Sequence, residues 1–443
     1  MKKFLSILLA ILMLAVMLPV TAMAEENYVM ISGIKGVENE KYASFEAAYN
    51  AIKPKLEALC KSDAFGQGGT TAEEFDALFF NRDENGNATL TYTICGNIIY
   101  DESNLANLLT FGRRASHYGN DRHLINFKFV GATGRDSDTL TVNSNITLPY
   151  EWWGEKTTTS ISFENLTITG TARSGLYPTQ DYFDGINFKV NNCKLEGIKI
   201  YNCSNVGGSY TITNNIFDGT NAPQNAYAIH LQGNETAPLT INISNNTISG
   251  YDRGINIDQK TAAATISNNN ISVKDTGRSC IQLTRLASTK VENNTMNLTG
   301  GNAITLHEEL LNCAKPEITV SGNTINGTGY LIYDDSKGAF TNENLNLTIT
   351  QDNTVVKTVD TTQGVKDGEI HPLRGIVKTT VENNVVPGGS TGGTIVIIPD
   401  RTEDTPKTEP EKNPTTGAND VVAAAVALMA VSALGMAVLT RKK

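Results

Sequence analysis

Between residues 212 and 386 one short pattern, apolar–x–Asn–Asn–x–apolar, returns six times, once with Gly in place of the first Asn. The copies are Ile212–Phe217, Ile243–Ile248, Ile266–Ile271, Val291–Met296, Val320–Ile325 and Val381–Val386. The second Asn falls at 215, 246, 269, 294 and 323, so the steps are 31, 23, 25 and 29 residues. A repeat of this length built from short strands requires a solenoid, because one copy cannot bury its apolar face alone. Each copy reads as strand, corner, strand. Asn suits a corner because its short polar side chain tolerates left-handed backbone angles. Stacked copies place Asn above Asn, and amide side chains stacked in this way can hydrogen-bond as a ladder.

A second pattern, small–apolar–x–apolar, alternates with the first. It reads Gly197–Ile200, Ala228–Leu231, Gly254–Ile257, Cys280–Leu283 and Ala303–Leu306. From each second Asn the next Ile follows after 14, 9, 12 and 10 residues, and the return takes 17, 14, 13 and 19. Strands and corners are thus held while one loop of each coil is free to grow. The Leu-x-x-Leu-x-Leu frame of a leucine-rich solenoid is absent.

Together the two patterns resemble the right-handed parallel β-helix repeats of the pectate-lyase-like superfamily. The resemblance covers residues 185–386 and reaches back toward residue 90 through Thr89–Ile94 and Leu140–Asn143. It implies an all-β, single-stranded parallel β-helix over 89–386. It does not fix an activity, because this scaffold carries lyases, hydrolases, adhesins and non-catalytic proteins.

Residues 25–88 read differently. Ser44 is placed to cap a helix whose Phe45, Ala48, Tyr49 and Ile52 share one face. A solenoid end is an unpaired sheet edge that needs covering, so this region is expected to be an N-terminal helical cap. Thr71–Phe80 is expected to form a second helix.

Both chain ends carry processing signals. Lys2-Lys3, an apolar run from Leu5 to Val20 and Ala22-Met23-Ala24 read as a signal peptide over 1–24, cleaved after Ala24. Residues 387–412 have linker composition. Asn413-Pro414-Thr415-Thr416-Gly417, an apolar run over 421–440 and Arg441-Lys442-Lys443 follow in that order. This resembles the sorting signal of Gram-positive cell-wall proteins, with Asn413 where the family usually carries Leu. The resemblance implies that a sortase cleaves between Thr416 and Gly417 and joins the chain to a peptidoglycan precursor. The apolar run holds the precursor in the membrane meanwhile, and the basic tail stays on the cytoplasmic side.

The formal net charge is −10, and loss of both signals takes Lys+Arg from 36 to 31 and Asp+Glu from 46 to 45, leaving −14. Such a surface repels nucleic acid. The six cysteines form no C-x-x-C pair, which argues against a zinc site. Cys193 follows Asn191-Asn192 in the slot of Ile216 and Thr247, and Cys280 takes the small-residue slot. Both read as core packing.

The x positions of the second pattern point outward. One row is His230, Asn256, Gln282 and Thr305; the next is Gln232, Asp258, Thr284 and His307, with Arg285, Asp334 and Asp335 nearby. Adjacent coils lie about 4.8 Å apart. Asp258 and His307, two coils apart, would match the roughly 5–10 Å between paired groups in glycoside hydrolysis. A lyase would need a calcium-binding carboxylate cluster and a basic residue, for which Asp258, Asp334, Asp335 and Arg285 are the candidates. Of the segments a polygalacturonase would carry, only Asp334-Asp335 is present. Ligand-binding candidates are His230, Asn256 and Gln282, with Trp152, Trp153 and Tyr182 as stacking aromatics. The reading favours a monomeric, non-catalytic adhesin or glycan-binding surface protein without a cofactor, meeting host or dietary glycans. The alternative is a surface-attached polysaccharide lyase or glycoside hydrolase acting on uronic-acid-containing glycans, with calcium only in the lyase case.

Overall fold

The structure is a computed structural model. It describes residues 27–59, 80–100, 125–143, 146–147, 159–170, 175–177, 185–203, 207–233, 238–274, 278–336, 339–341, 343–349 and 353–356. The signal peptide, the Val381–Val386 copy, the linker and the sorting sequence lie outside these residues. So do Trp152, Trp153, Tyr182 and, but for Phe80, the second expected helix.

The chain folds as the parallel β-helix its repeat predicts. One face is a path of parallel strands from Ala88–Cys95 to Asn346–Ile349. A second face runs parallel from Asn97–Tyr100 to Thr354–Val356, with a register shift between Ile248 and Tyr251. The third begins at Ile146–Thr147 and passes through Tyr227–Gln232, Arg253–Asp258 and Ser279–Arg285. Thr295–Leu306 and Thr324–Asp334 are long enough to round a corner. Their first halves lie on the second face and their last halves on the third, which joins the two into one sheet.

The two asparagines of each corner have different tasks. The first takes the left-handed backbone: φ is 53° at Asn192, 59° at Asn214, 57° at Asn245, and 55° at Asn268 and Asn293. Gly322, the one substitution in the pattern, has φ 63° in the same place. The second Asn turns inward and is buried at Asn215, Asn246, Asn269, Asn294 and Asn323, and again at Asn353. From Asn215 to Asn323 each Nδ2 donates to the next coil's Oδ1 at 2.9–3.0 Å. The same nitrogen donates to a carbonyl of the coil before, from Val190 O to Val320 O, at 2.8–3.0 Å. Each ladder Oδ1 also accepts the backbone N–H of the neighbouring Asn. Corner amides that cannot pair within a strand are thus satisfied inside a dry core.

Cys193 sits one position from where the sequence reading put it. Asn192, not Asn191, takes the left-handed turn, and Lys194 pairs with Ile216. Cys193 therefore occupies the ladder slot of Asn215, and its N–H donates to Asn215 Oδ1 at 2.8 Å. An apolar thiol ends the ladder there.

Toward the N-terminus, aromatic stacking replaces the amides. Tyr92, Phe129 and Phe163 stack face to face with centroids 4.9 and 5.0 Å apart, and Phe188 and Tyr210 follow edge-on at 6.3 and 5.5 Å. Helix α1 (Phe45–Leu59) covers the end of the stack. Ser44 Oγ accepts the Ala47 N–H at 3.1 Å as its cap, and Phe45, Ala48 and Ile52 are buried. Phe45 packs on Tyr92 and Tyr100 with centroids 5.8 and 6.1 Å away. Tyr28–Ser32 pairs antiparallel with Ala88–Cys95 and closes the sheet edge.

Candidate functional site

The outward row on the third face forms as a stacked register. Tyr201 pairs with His230, His230 with Asn256, Asn256 with Gln282, Gln282 with Thr305 and Thr305 with Tyr333. The two tyrosines extend the predicted four-residue row at each end. Tyr201 is hidden in the sequence because Ile200, not Ile198, pairs with Ile229, so the Gly197–Ile200 copy lies two residues out of register with the others; Tyr333 follows Leu331-Ile332, with no small residue immediately before them.

A second row lies just ahead of the small residue of the same pattern. Tyr227 pairs with Arg253, and Ser279 with Asn302. Between the two rows the face opens into a polar pocket of about 370 Å³. Tyr227, Arg253, Arg278, Ser279 and Gln282 line one part, and Gly301, Asn302, Thr305, Tyr333 and Asp335 the other. Only Gln282, Thr305 and Asp335 stood out in the sequence. Four of the missed residues share one signal: Tyr227, Arg253, Ser279 and Asn302 each stand one step before Ala228, Gly254, Cys280 and Ala303.

The lining is tied together. Arg253 Nη1 donates to Tyr227 Oη at 2.8 Å, and Tyr227 Oη donates to Gln282 Oε1 at 3.0 Å. Gln282 Nε2 donates to Thr284 Oγ1 at 3.0 Å, which donates to Asn256 Oδ1 at 2.7 Å. Asn302 Nδ2 reaches Thr305 Oγ1 at 3.1 Å, and the Ser279 and Thr305 hydroxyls lie 2.5 Å apart. These bonds hold the polar atoms before any ligand arrives, which lowers the cost of ordering them on binding. The Arg253 guanidinium lies 4.9 Å from the centre of the Tyr227 ring.

His230 packs between Tyr201 and Tyr227, ring centres 5.1 and 4.9 Å away. Its Nε2 is buried without a hydrogen-bond partner. Burial pushes its pKa down to about 4, against the pull of Asp258 and with help from Lys199 and Arg253. The ring is neutral near pH 7.

The charged candidates separate into pairs. A register shift after Ile257 sets Arg285, not Thr284, opposite Asp258, and the Arg285 Nε donates to Asp258 Oδ1 in a close ion pair. His307 Nδ1 accepts the Glu309 N–H at 3.3 Å and caps the short 3-10 helix Glu308–Asn312, while its Nε2 lies 3.7 Å from Asp335 Oδ2. Asp334 is buried and its Oδ1 accepts from the Ser336 N–H at 2.8 Å and hydroxyl at 2.5 Å. Of the five candidates, Asp335 alone lines the pocket.

No curated protein and no solved structure matches the chain. Residues 164–366 match the family model described as periplasmic copper-binding protein (NosD). Copper takes imidazole, thiolate or thioether donors. Among the described residues no three His, Cys, Asp or Glu side chains gather in one place. His230 sits among tyrosines, and burial raises the Cys193 and Cys280 thiols to about 12. The described residues therefore do not fit a resident copper ion. What the match and the register share is architecture: the described residues between 164 and 356 form a NosD-like parallel β-helix.

Proposed function

We propose that the protein is an exported, cell-wall-attached surface protein that binds a glycan on its third face without cleaving it. The observation that carries this reading is the pocket beneath Tyr227 and Tyr333. Tyrosine rings beside fixed amide and hydroxyl groups suit a sugar, which offers an apolar ring face and a rim of hydroxyls. Gln282, Asn302, Ser279 and Thr305 supply those groups within one pocket. The charges a glycosidase or lyase would use are engaged elsewhere: Asp258 with Arg285, Asp334 with Ser336. Hydrolysis by a carboxylate pair calls for two carboxyls flanking the bond, and the pocket lining carries Asp335 alone.

The pairing of Asp335 with His307 beside the pocket favours a second reading, an acid–base site that cleaves the bound glycan. Incubation of the full chain with host and plant polysaccharides separates the two. Retention without new reducing ends or unsaturated uronides supports binding; release of either product overturns it in favour of the enzyme. Export and attachment rest on the sequence of the two ends, from Lys2-Lys3 to Ala24 and from Asn413 to Lys443. A sortase and a peptidoglycan precursor are the partners this implies.

A further inference from the structure

We infer that the pocket recognises an anionic group of its glycan, a carboxylate or a sulfate, at the end formed by Arg253 and Arg278. The inference rests on the glycan-binding reading and adds the charge of the ligand to it. Although the chain as a whole is acidic, with a formal net charge of −10, two arginines enter this one pocket. Among the described residues no carboxylate pairs with Arg253. Its Nη1 is held by the Tyr227 hydroxyl at 2.8 Å, and its Nε is buried with no hydrogen-bond partner. The guanidinium borders the pocket with no described carboxylate to balance its charge, and an anion is the partner that satisfies such a group best. The nearby carboxylates face other groups: Asp252 takes the Asn225 N–H, and Asp258 takes Arg285.

The position of Arg278 agrees. One of its terminal nitrogens reaches Asn225 Oδ1 at 3.4 Å. The next coil passes directly under it, since a Cβ on Gly301 would lie 2.1 Å from the Arg278 carbonyl oxygen. No side chain at Gly301 stands between the arginine end and the polar middle of the pocket. The acidic residue lies at the far end. Asp335 follows the third strand beyond that of Arg253, which at about 4.8 Å per coil is roughly 14 Å along the axis. The pocket is therefore polarised, and an acidic sugar has one favourable orientation in it, with its anion toward Arg253 and its hydroxyls toward Asp335.

The test compares binding of the full chain to a hexuronate oligosaccharide, to the same oligosaccharide with carboxyls reduced to primary alcohols, and to a sulfated oligosaccharide. The expected result is binding of the uronate or the sulfated form, weakened on the order of tenfold or more by Arg253→Gln and by rising salt, with the reduced form bound poorly. Which anionic form binds identifies the source of the charge. Arg278→Gln serves as the second variant, in case Arg253→Gln disturbs Tyr227 and lowers the melting temperature. Equal affinity for charged and reduced forms, or full uronate and sulfate affinity in both variants, overturns the anion inference and leaves glycan binding standing. Failure of every sugar, charged or neutral, removes the glycan-binding reading itself.

Discussion

At the scale of single residues, two neighbouring asparagines in one motif carry separate physical duties, and the difference is measurable. Asn269 donates to Asn294 and Ile243 O and accepts two bonds from Asn246. Asn269→Ala leaves several of these buried groups unpaired, so it is expected to cost roughly 2–4 kcal/mol in urea unfolding. Asn268 contributes its φ of 55°, so Asn268→Gly is expected to stay within about 1 kcal/mol of the parent, and Asn268→Ala to lose about 1 kcal/mol. Equal losses at 268 and 269 would show that the ladder amides add nothing beyond geometry. His230 gives a second handle. Its folded pKa of about 4 lies below the ordinary 6.5, so the unfolded chain takes up its proton first as pH falls. Stability is therefore full above pH 6.5 and declines toward pH 4, by on the order of 2 kcal/mol after allowance for partial exposure. Unfolding midpoints measured between pH 7 and 4 should show this slope, and His230→Gln should flatten it. A slope unchanged in the variant would assign it to other groups.

At the scale of elements, the fold was legible because its information is periodic. Six copies of one corner, with apolar residues flanking the Asn pair, leave no other way to bury each coil. The cap was legible too, since Ser44 and the Phe45, Ala48 and Ile52 face announce one amphipathic helix. Phe45→Ala should lose roughly 3–5 kcal/mol and expose the end of the aromatic stack, read as a lower melting temperature with aggregation. What stayed hidden was aperiodic. The register slip after Ile257, which gives Asp258 to Arg285, depends on one extra residue that no spacing reveals. The Cys193 slot is ambiguous in the sequence, because the adjacent Asn191 and Asn192 allow two frames one residue apart, and only the structure gives the turn to Asn192. The pocket was half visible: Gln282 and Thr305 fall on a predicted row, whereas Arg253 and Tyr227 fall on a row that shows only once strand starts are aligned. Asn353 was missed because its coil carries no Asn pair, as Asp352 precedes it.

At the scale of the molecule, the design is a rigid column that presents one decorated face. An acidic surface keeps such a column soluble and makes a local pair of arginines a selective feature rather than background. Among the described residues no helix is long and apolar enough to cross a membrane, so the attachment proposal concerns the segment after Asn413. Thr416→Ala is expected to move the protein from the covalently attached wall fraction to the membrane or medium; continued covalent attachment would contradict the sorting reading. The central claim is that the third face is a sugar-binding surface. A glycan array probed with the full chain and with its Gln282→Ala/Asn302→Ala double variant tests it most directly. The account predicts retention of at least one glycan by the parent, without cleavage, and its loss in a double variant whose melting curve is unchanged. Retention of no glycan by the parent, or equal retention by both proteins, would contradict it.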